Sequence, residues 1–255
     1  MNGWKTKQLG ELVKSGGGRI QTGPFGSQLH AADYVEEGIP CIMPTNMSNN
    51  RVRLDGIARI TEADAQRLKR HIVQSGDIVY SRRGDVTQKA LIHETENGYF
   101  CGTGCLLLRP GKEIDPAFLT YYLSTKTYQN WIVSQAVGGT MPNLNTGILE
   151  RVSFKAPDLP TQQKIAKVLS TLDAKIELNQ RINAELEAMA KLLYDYWFVQ
   201  FDFPMTAAQA TALGQPQLAG ARLGGQTGSP RGSNVEFGSP RGSNVEFKHL
   251  IMPRL

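Results

Sequence analysis

The stretch LPTQQKIAKVLSTLDAKIELNQRINAELEAMAKLLYDYWFVQFDFP, Leu159 to Pro204, decides how this chain is built. Pro160 and Thr161 supply a stop and a cap, and the pattern then stays helical, with no Gly or Pro before Pro204. Apolar residues recur every seven positions: Ile165, Leu172, Leu186 and Leu193 form one row, and Leu169, Ile176 and Trp197 form the row beside it. Such a repeat is a coiled-coil seam. Asn179 and Asn183 interrupt the two rows at the middle. Buried Asn in a seam costs stability and selects one register, so the pattern predicts a single helical partner at a single alignment. A helix this long cannot bury its own stripe.

The residues ahead of the helix, 1 to about 157, have a different texture. Short apolar runs alternate with turn signals, and Ile39–Met43, Asp77–Ser81 and Cys105–Leu108 have the length and composition of buried strands. Glu62–Arg70 and Pro116–Val133 have helical spacing. The pattern predicts an α/β (α+β) domain over 1–157, a dimerisation helix over 158–203, and a linker and disordered tail over 204–255. The tail repeats GSPRGSNVEF without change at 228–237 and 238–247. A segment of that composition buries too little apolar surface to fold alone. Its Gly-Ser and Glu-Phe edges are what two common cloning sites encode, so a cloning scar or a shifted reading frame explains it at least as well as function does.

Composition narrows the function classes. There is no apolar run long enough to span a bilayer and no signal-peptide core, which predicts a soluble cytoplasmic protein. The three cysteines are an odd number in a long chain and suit a reducing compartment. Cys101 and Cys105 lack the second pair that a metal site needs, so buried thiols are expected. The net charge is +5, but residues 1–157 carry 18 Lys+Arg against 14 Asp+Glu and much of the remaining excess lies in the tail. Nucleotide-binding, metalloprotease and serine-hydrolase motifs are all missing, and the four histidines have no ligand spacing. The glycine-rich runs at 16–18 and 23–27 are expected to be turns rather than phosphate cradles.

Binding residues are easier to find. Lys69, Arg70, Arg82, Arg83 and Lys89, with Arg67, outnumber the acids in their segment, and Lys and Arg at that density can neutralise phosphates. Arg is also the usual reader of guanine edges and Asn of adenine edges. That adds Asn46, Arg51 and Arg53 from one polar stretch and Thr140, Asn143 and Asn145 from another. A solvated charged face is the alternative for each group.

Taken in order, Trp4–Glu11, GPFGSQLH at 23–30, DYVEEGIPCIMPTNM at 33–47, GDIVYSRRGD at 76–85, GTGCLLLR at 102–109, GGTMPNLNT at 138–146 and the helix from Leu159 resemble the specificity subunits of type I restriction–modification systems. The resemblance implies a target recognition domain joined to a spacer helix and no catalytic centre or cofactor on this chain. It implies double-stranded DNA as ligand, with methyltransferase subunits using S-adenosylmethionine and restriction subunits using ATP and Mg as partners. Family members carry two recognition domains and two helices. This chain shows one of each, which predicts a half-length form whose second copy supplies the other half, with Ile165, Leu169, Leu172, Ile176, Asn179, Asn183, Leu186, Leu193 and Trp197 at the dimer interface and a bipartite palindromic site on the DNA. A coiled-coil scaffold without specific DNA recognition is the rival reading.

Overall fold

The computed structural model describes residues 4–136, 143–196, 206–212 and 214. Two compact units, 1–179 and 180–255, divide the chain. The strands in chain order are β1 (Lys5–Gln8), β2 (Arg19–Thr22), β3 (Tyr34–Val35), β4 (Ile39–Ile42), β5 (Met47–Ser48), β6 (Arg51–Val52), β7 (Ala58–Ile60), β8 (Ile78–Ser81), β9 (Lys89–Leu91), β10 (Phe100–Cys101), β11 (Cys105–Arg109) and β12 (Ser153–Ala156). The helices are α1 (Leu9–Ser15), α2 (Glu62–Arg67), α3 (Pro116–Tyr122), α4 (Lys126–Gln135), α5 (Thr146–Glu150), α6 (Leu159–Tyr194) and α7 (Ala207–Ala212).

The first unit is organised by β11. It lies between β2 and β8, antiparallel to both, in a sheet of order β2-β11-β8-β9. Side chains of a strand alternate between faces, so a run that is apolar at every position must be covered on both sides. Leu106 and Leu108 join Ile78, Tyr80, Leu9 and Phe118 in one core. Cys105 and Leu107 join Val79, Ile92 and Ile42 in another. A second sheet, β10-β4-β7-β3, packs around Cys41, Ile60, Leu68 and Phe100. All three cysteines are buried free thiols, and burial pushes the Cys41 thiol up to about 12. The β1–β12 ribbon joins the start of the chain to the stretch just before the long helix.

The predicted strands fall where expected, but the helices need correction. The helix expected over 116–133 is two helices. Ser124 Oγ donates to Thr120 O at 2.8 Å and Thr125 Oγ1 to Tyr122 O at 2.9 Å, while Thr125 itself is extended at ψ 143°. Side-chain hydroxyls that bond nearby carbonyls favour ends over interiors. The helix expected over 62–70 stops at Arg67, and Lys69–His71 is a 3-10 turn. The long helix starts before its predicted cap. The Thr161 and Gln162 amides both donate to Asp158 O, placing Pro160 in the first turn, where its missing N–H costs nothing. Within the linker and tail expected over 204–255, Ala207–Ala212 forms the short helix α7. The repeated tail, Thr140 and Trp197 lie outside the described residues.

The first turns of α6 belong to the first unit. Gln162 is 3% exposed; its Oε1 accepts the Asp115 amide at 3.0 Å and its Nε2 donates to Pro157 O at 2.9 Å. Ala166 is buried and Ile165 packs on the same core. Further along, Tyr121 Oη donates to Asp173 Oδ2 at 2.7 Å, and Arg51 Nε bonds Glu177 Oε1 at 3.0 Å.

One buried ion pair reinforces the main sheet. Arg109, on β11, donates from Nε and Nη2 to the two Asp77 oxygens at 2.7 and 2.6 Å, and Asp77 also accepts the Gln74 amide. Asp77 is 1% exposed and the Arg109 side chain 24% exposed, so removing Asp77 leaves a half-buried guanidinium without its carboxylate. Asp77→Ala is expected to cost ~2–4 kcal/mol, the loss for deleting one partner of a buried pair reduced by the partial exposure of Arg109. Urea denaturation checks this; a loss under ~1 kcal/mol would mean that water reaches the pair.

Candidate nucleic-acid interface

Gly23 ends β2, and its backbone runs so close to the chain at Gly102 that a Cβ there would lie 2.2 Å from Gly102 O. Only glycine allows that approach, and beyond the buried Pro24 the chain presents Phe25, 49% exposed, and Gly26 outward. Arg82 follows β8. Its guanidinium lies 5.9 Å from the Phe25 ring centroid, and its Nε donates to Asn143 Oδ1 at 3.3 Å. The backbone locks the same three parts together: the Arg82 amide donates to Gly104 O, and the Leu144 amide to Arg82 O. Arg83 bridges to Asn143 through its backbone, and Gly84 at φ +76° turns the chain after it. Arg83 is exposed, and Ser81 Oγ holds its carbonyl. The sequence pieces around 23–30, 82–85 and 143–145 thus converge on one patch.

The 67–70 segment reaches the same loop from another direction. Arg67 donates to Gln28 O at 3.0 Å and pairs with Asp64, while Gln21 and Arg19 of β2 both donate to Arg70 O. Lys69 and Arg70 are exposed. Beneath them His71 is buried and accepts from Arg70 Nε at 2.9 Å. Burial, then the Arg70 and Arg19 charges, pull its imidazole down to about 4, so it stays neutral at physiological pH. A neutral His71 serves this surface as an acceptor that orients Arg70.

The other predicted contacts sit apart. Asn46 is 4% exposed, and its Oδ1 accepts the Met43 amide, so it holds a turn. Asn49 and Asn50, both in the left-handed region at φ 51° and 60°, form the tight turn between β5 and β6. Arg51 leaves that turn to bond Glu177 and His93 and so ties the hairpin to α6. Arg53 is exposed with Asp55 at 4.0 Å. Lys89 is buried under the same hairpin. Asn145 caps α5, its Oδ1 accepting the Ile148 amide at 2.9 Å. Phe25 was not among the predicted contacts; its place in a Gly-Pro-Phe-Gly turn, which forces an aromatic ring outward, was the available signal.

The chain matches the type I restriction modification DNA specificity domain over residues 1–188. It belongs to that family. It is 29% identical over 219 residues to the HindI type I restriction enzyme specificity subunit of Haemophilus influenzae, covering 84% of this chain and 45% of that protein. With the MjaIX specificity subunit of Methanocaldococcus jannaschii it shares 26% identity, covering 78% of this chain and 44% of that protein. The chain therefore spans less than half the length of these curated relatives. The fold resembles that of the type I restriction–modification S subunit from M. genitalium at a TM-score of 0.53, with 19% identity over 83% of this chain and 49% of that one. A structure of a type I restriction–modification assembly gives a TM-score of 0.55, with 23% identity over 76% of this chain and 44% of the other. Among the described residues no trio of His, Cys, Asp or Glu is placed to hold a metal, and no helix is long and apolar enough to cross a membrane.

The residues expected at a dimer interface lie on the long helix. Within the first unit Leu172 and Ile176 are 51% and 53% exposed, and Asn179 is exposed. Ile165 and Leu169 are only partly exposed, and Ile165 is packed on the domain's own core. Within the second unit Leu186 and Leu193 are 57% and 56% exposed, and Asn183 is exposed. The structure adds Val168, Ile182 and Met189, all exposed and three or four residues from the predicted row. At mid-helix the apolar neighbour of Leu186 is Ile182, four residues before it, rather than Asn183.

Proposed function

We propose that this chain is the DNA-reading subunit of a type I restriction–modification complex and works as a dimer of half-subunits. It would have no catalytic centre and no cofactor of its own. Methyltransferase subunits using S-adenosylmethionine and restriction subunits using ATP and Mg would supply the chemistry. The observation that carries the reading is the convergence of Phe25, Arg82, Arg83 and Asn143 on one exposed patch in a chain of the DNA specificity family. An arginine held over an aromatic ring is fixed in place before DNA arrives. Arg83 and Lys69 have no side-chain partner among the described residues and remain free to meet phosphates or base edges.

Two copies are needed because the helix leaves its stripe uncovered. Val168, Leu172 and Ile176, and further on Ile182, Leu186, Met189 and Leu193, face solvent in the single chain. Antiparallel pairing through that stripe would bring Asn179 and Asn183 near a two-fold axis and supply a second recognition domain. A two-fold protein reads inverted half-sites, so the target would be bipartite and palindromic.

The triple variant Lys69→Ala, Arg82→Ala and Arg83→Ala is expected to bind target duplex far more weakly, with the slope of log affinity against log salt reduced by about one for each phosphate that is no longer neutralised. A fluorescence titration at several salt concentrations measures it. Unchanged affinity and slope would make the basic segment a solvated face.

Replacing Leu172 and Leu186 with Asp is expected to convert the dimer to monomer, because a carboxylate inside a seam has no partner. Light scattering at micromolar concentrations reports the mass. A wild-type chain that stays monomeric throughout would remove the basis for a palindromic site.

A further inference from the structure

Lys89 begins β9 and pairs across the sheet with Tyr80 of β8. It is 3% exposed, with its ammonium 5.9 Å from the Tyr80 ring centroid. Among the described residues its ammonium makes no hydrogen bond and no ion pair. Asp85, the nearby acid, is occupied: Oδ1 accepts the Thr87 amide and hydroxyl at 2.9 and 2.6 Å, and Oδ2 accepts Gln88 Nε2 at 2.9 Å. Burial pulls the Lys89 amine down to about 8, so it is still largely charged at pH 7. Asp85 favours the charged form from a distance without contacting it, and an ammonium taken out of water with no direct hydrogen-bonding partner is costly, so proteins keep one where something supplies that partner.

The partner's place is a cavity of about 220 Å³ that Lys89 lines together with Asn49, Asn50, Thr87, Gln88, Ser124 and Gln129. No carboxylate lines it. Its polar groups are amides and hydroxyls, and the amides of Asn49 and Gln129 have no side-chain partner among the described residues. The Thr87 and Ser124 hydroxyls already donate within the protein, to Asp85 and to Thr120 O and Asn50 Oδ1, so one buried cation beside the side-chain amides of Asn49, Asn50 and Gln129 is left to meet an anion rich in acceptors. The cavity also shares the connection between β8 and β9 with the proposed interface: Arg82 and Arg83 stand at one end of that connection, Thr87 and Gln88 at the other.

We propose that the Lys89 cavity is a phosphate-binding site, filled by a backbone phosphate of bound DNA or by free inorganic phosphate. The DNA source rests on the function proposed above; the phosphate chemistry does not. The ammonium provides the charge, and the side-chain amides of Asn49, Asn50 and Gln129 provide the remaining hydrogen bonds. The asparagines of the β5–β6 turn thereby gain a role beyond turning the chain, since their left-handed backbone brings them to the cavity rim.

The test uses the full chain. Inorganic phosphate, exchanged for chloride at constant ionic strength, is expected to raise the melting temperature saturably, by roughly 3–6 °C at ten times its dissociation constant. Lys89→Met keeps the length of the side chain and should abolish the response, whereas Lys112→Ala, at an exposed lysine outside both the cavity and the proposed interface, should keep it. Gln129→Glu retains the lysine but places a carboxylate on the cavity wall. It should raise the melting temperature without phosphate and remove the response to it, which decides the matter even where Lys89→Met does not fold. Salt-dependent DNA titrations then identify the source. A slope smaller by about one in the Lys89→Met or Gln129→Glu variant assigns the phosphate to DNA; a thermal response with an unchanged slope assigns it to the free ion. The proposal is overturned if the folded variants respond to phosphate as the wild type does, or if the wild type shows no thermal response and the variants no change in salt slope.

Discussion

Gln162 closes the joint on which the remaining geometry depends. Its amide accepts from the Asp115 backbone and donates to the Pro157 carbonyl in an almost fully buried position. It therefore ties the first turn of α6 both to the loop capping α3 and to the end of β12. The Tyr121–Asp173 and Arg51–Glu177 bonds extend that grip for about four more turns of helix. A specificity subunit must present its reading surface at a defined angle to its spacer. Here that angle is set by polar bonds between domain and helix within a single compact unit, so the start of the helix is part of the domain's own fold.

The basic residues divide along the same line. Arg82, Arg83, Lys69 and Arg70 gather around the Phe25 loop, where carbonyls and an aromatic ring hold their neighbours in place. Arg51 faces the helix and serves the joint, and Lys89 lies buried beside it. Charge density along the sequence places these side chains in one class. Their partners separate them into surface contacts, a structural tie and a buried cation.

Much of the fold could be read from the sequence because periodicity and burial coincide there. The run from Cys105 to Arg109 must be covered on both faces, and it is the central strand. Leu172, Leu186 and Leu193, which share the seven-residue spacing, are exposed on the single chain. What escaped depends on contacts distant in sequence. Asn46 has the side chain of an adenine reader, and nothing local shows that its oxygen is committed to the Met43 amide. The break between α3 and α4 rests on two hydroxyls that compete for carbonyls, a choice that helical spacing does not reveal. Ile165 has seam spacing but is used inside its own domain, because the helix begins as part of that domain's wall. Phe25 was hidden by its plain composition: Gly-Pro-Phe-Gly reads as a turn, and only the crossing of Gly23 against Gly102 shows how firmly that turn is aimed.

Binding-site selection with the purified chain and with a variant lacking Ile182–Ala188 tests the central claim most directly. That deletion removes one heptad, leaves the Asp173 and Glu177 ties in place, and brings Met189 and Leu193 onto the positions of Ile182 and Leu186. The intact chain should select an inverted, bipartite sequence with an unread gap. The variant should keep the same half-sites and a gap shorter by roughly three base pairs, since seven residues of helix span ~10 Å and duplex DNA rises ~3.4 Å per pair. A folded, dimeric variant that selects an unchanged gap, or an intact chain that selects no inverted repeat, would contradict the account.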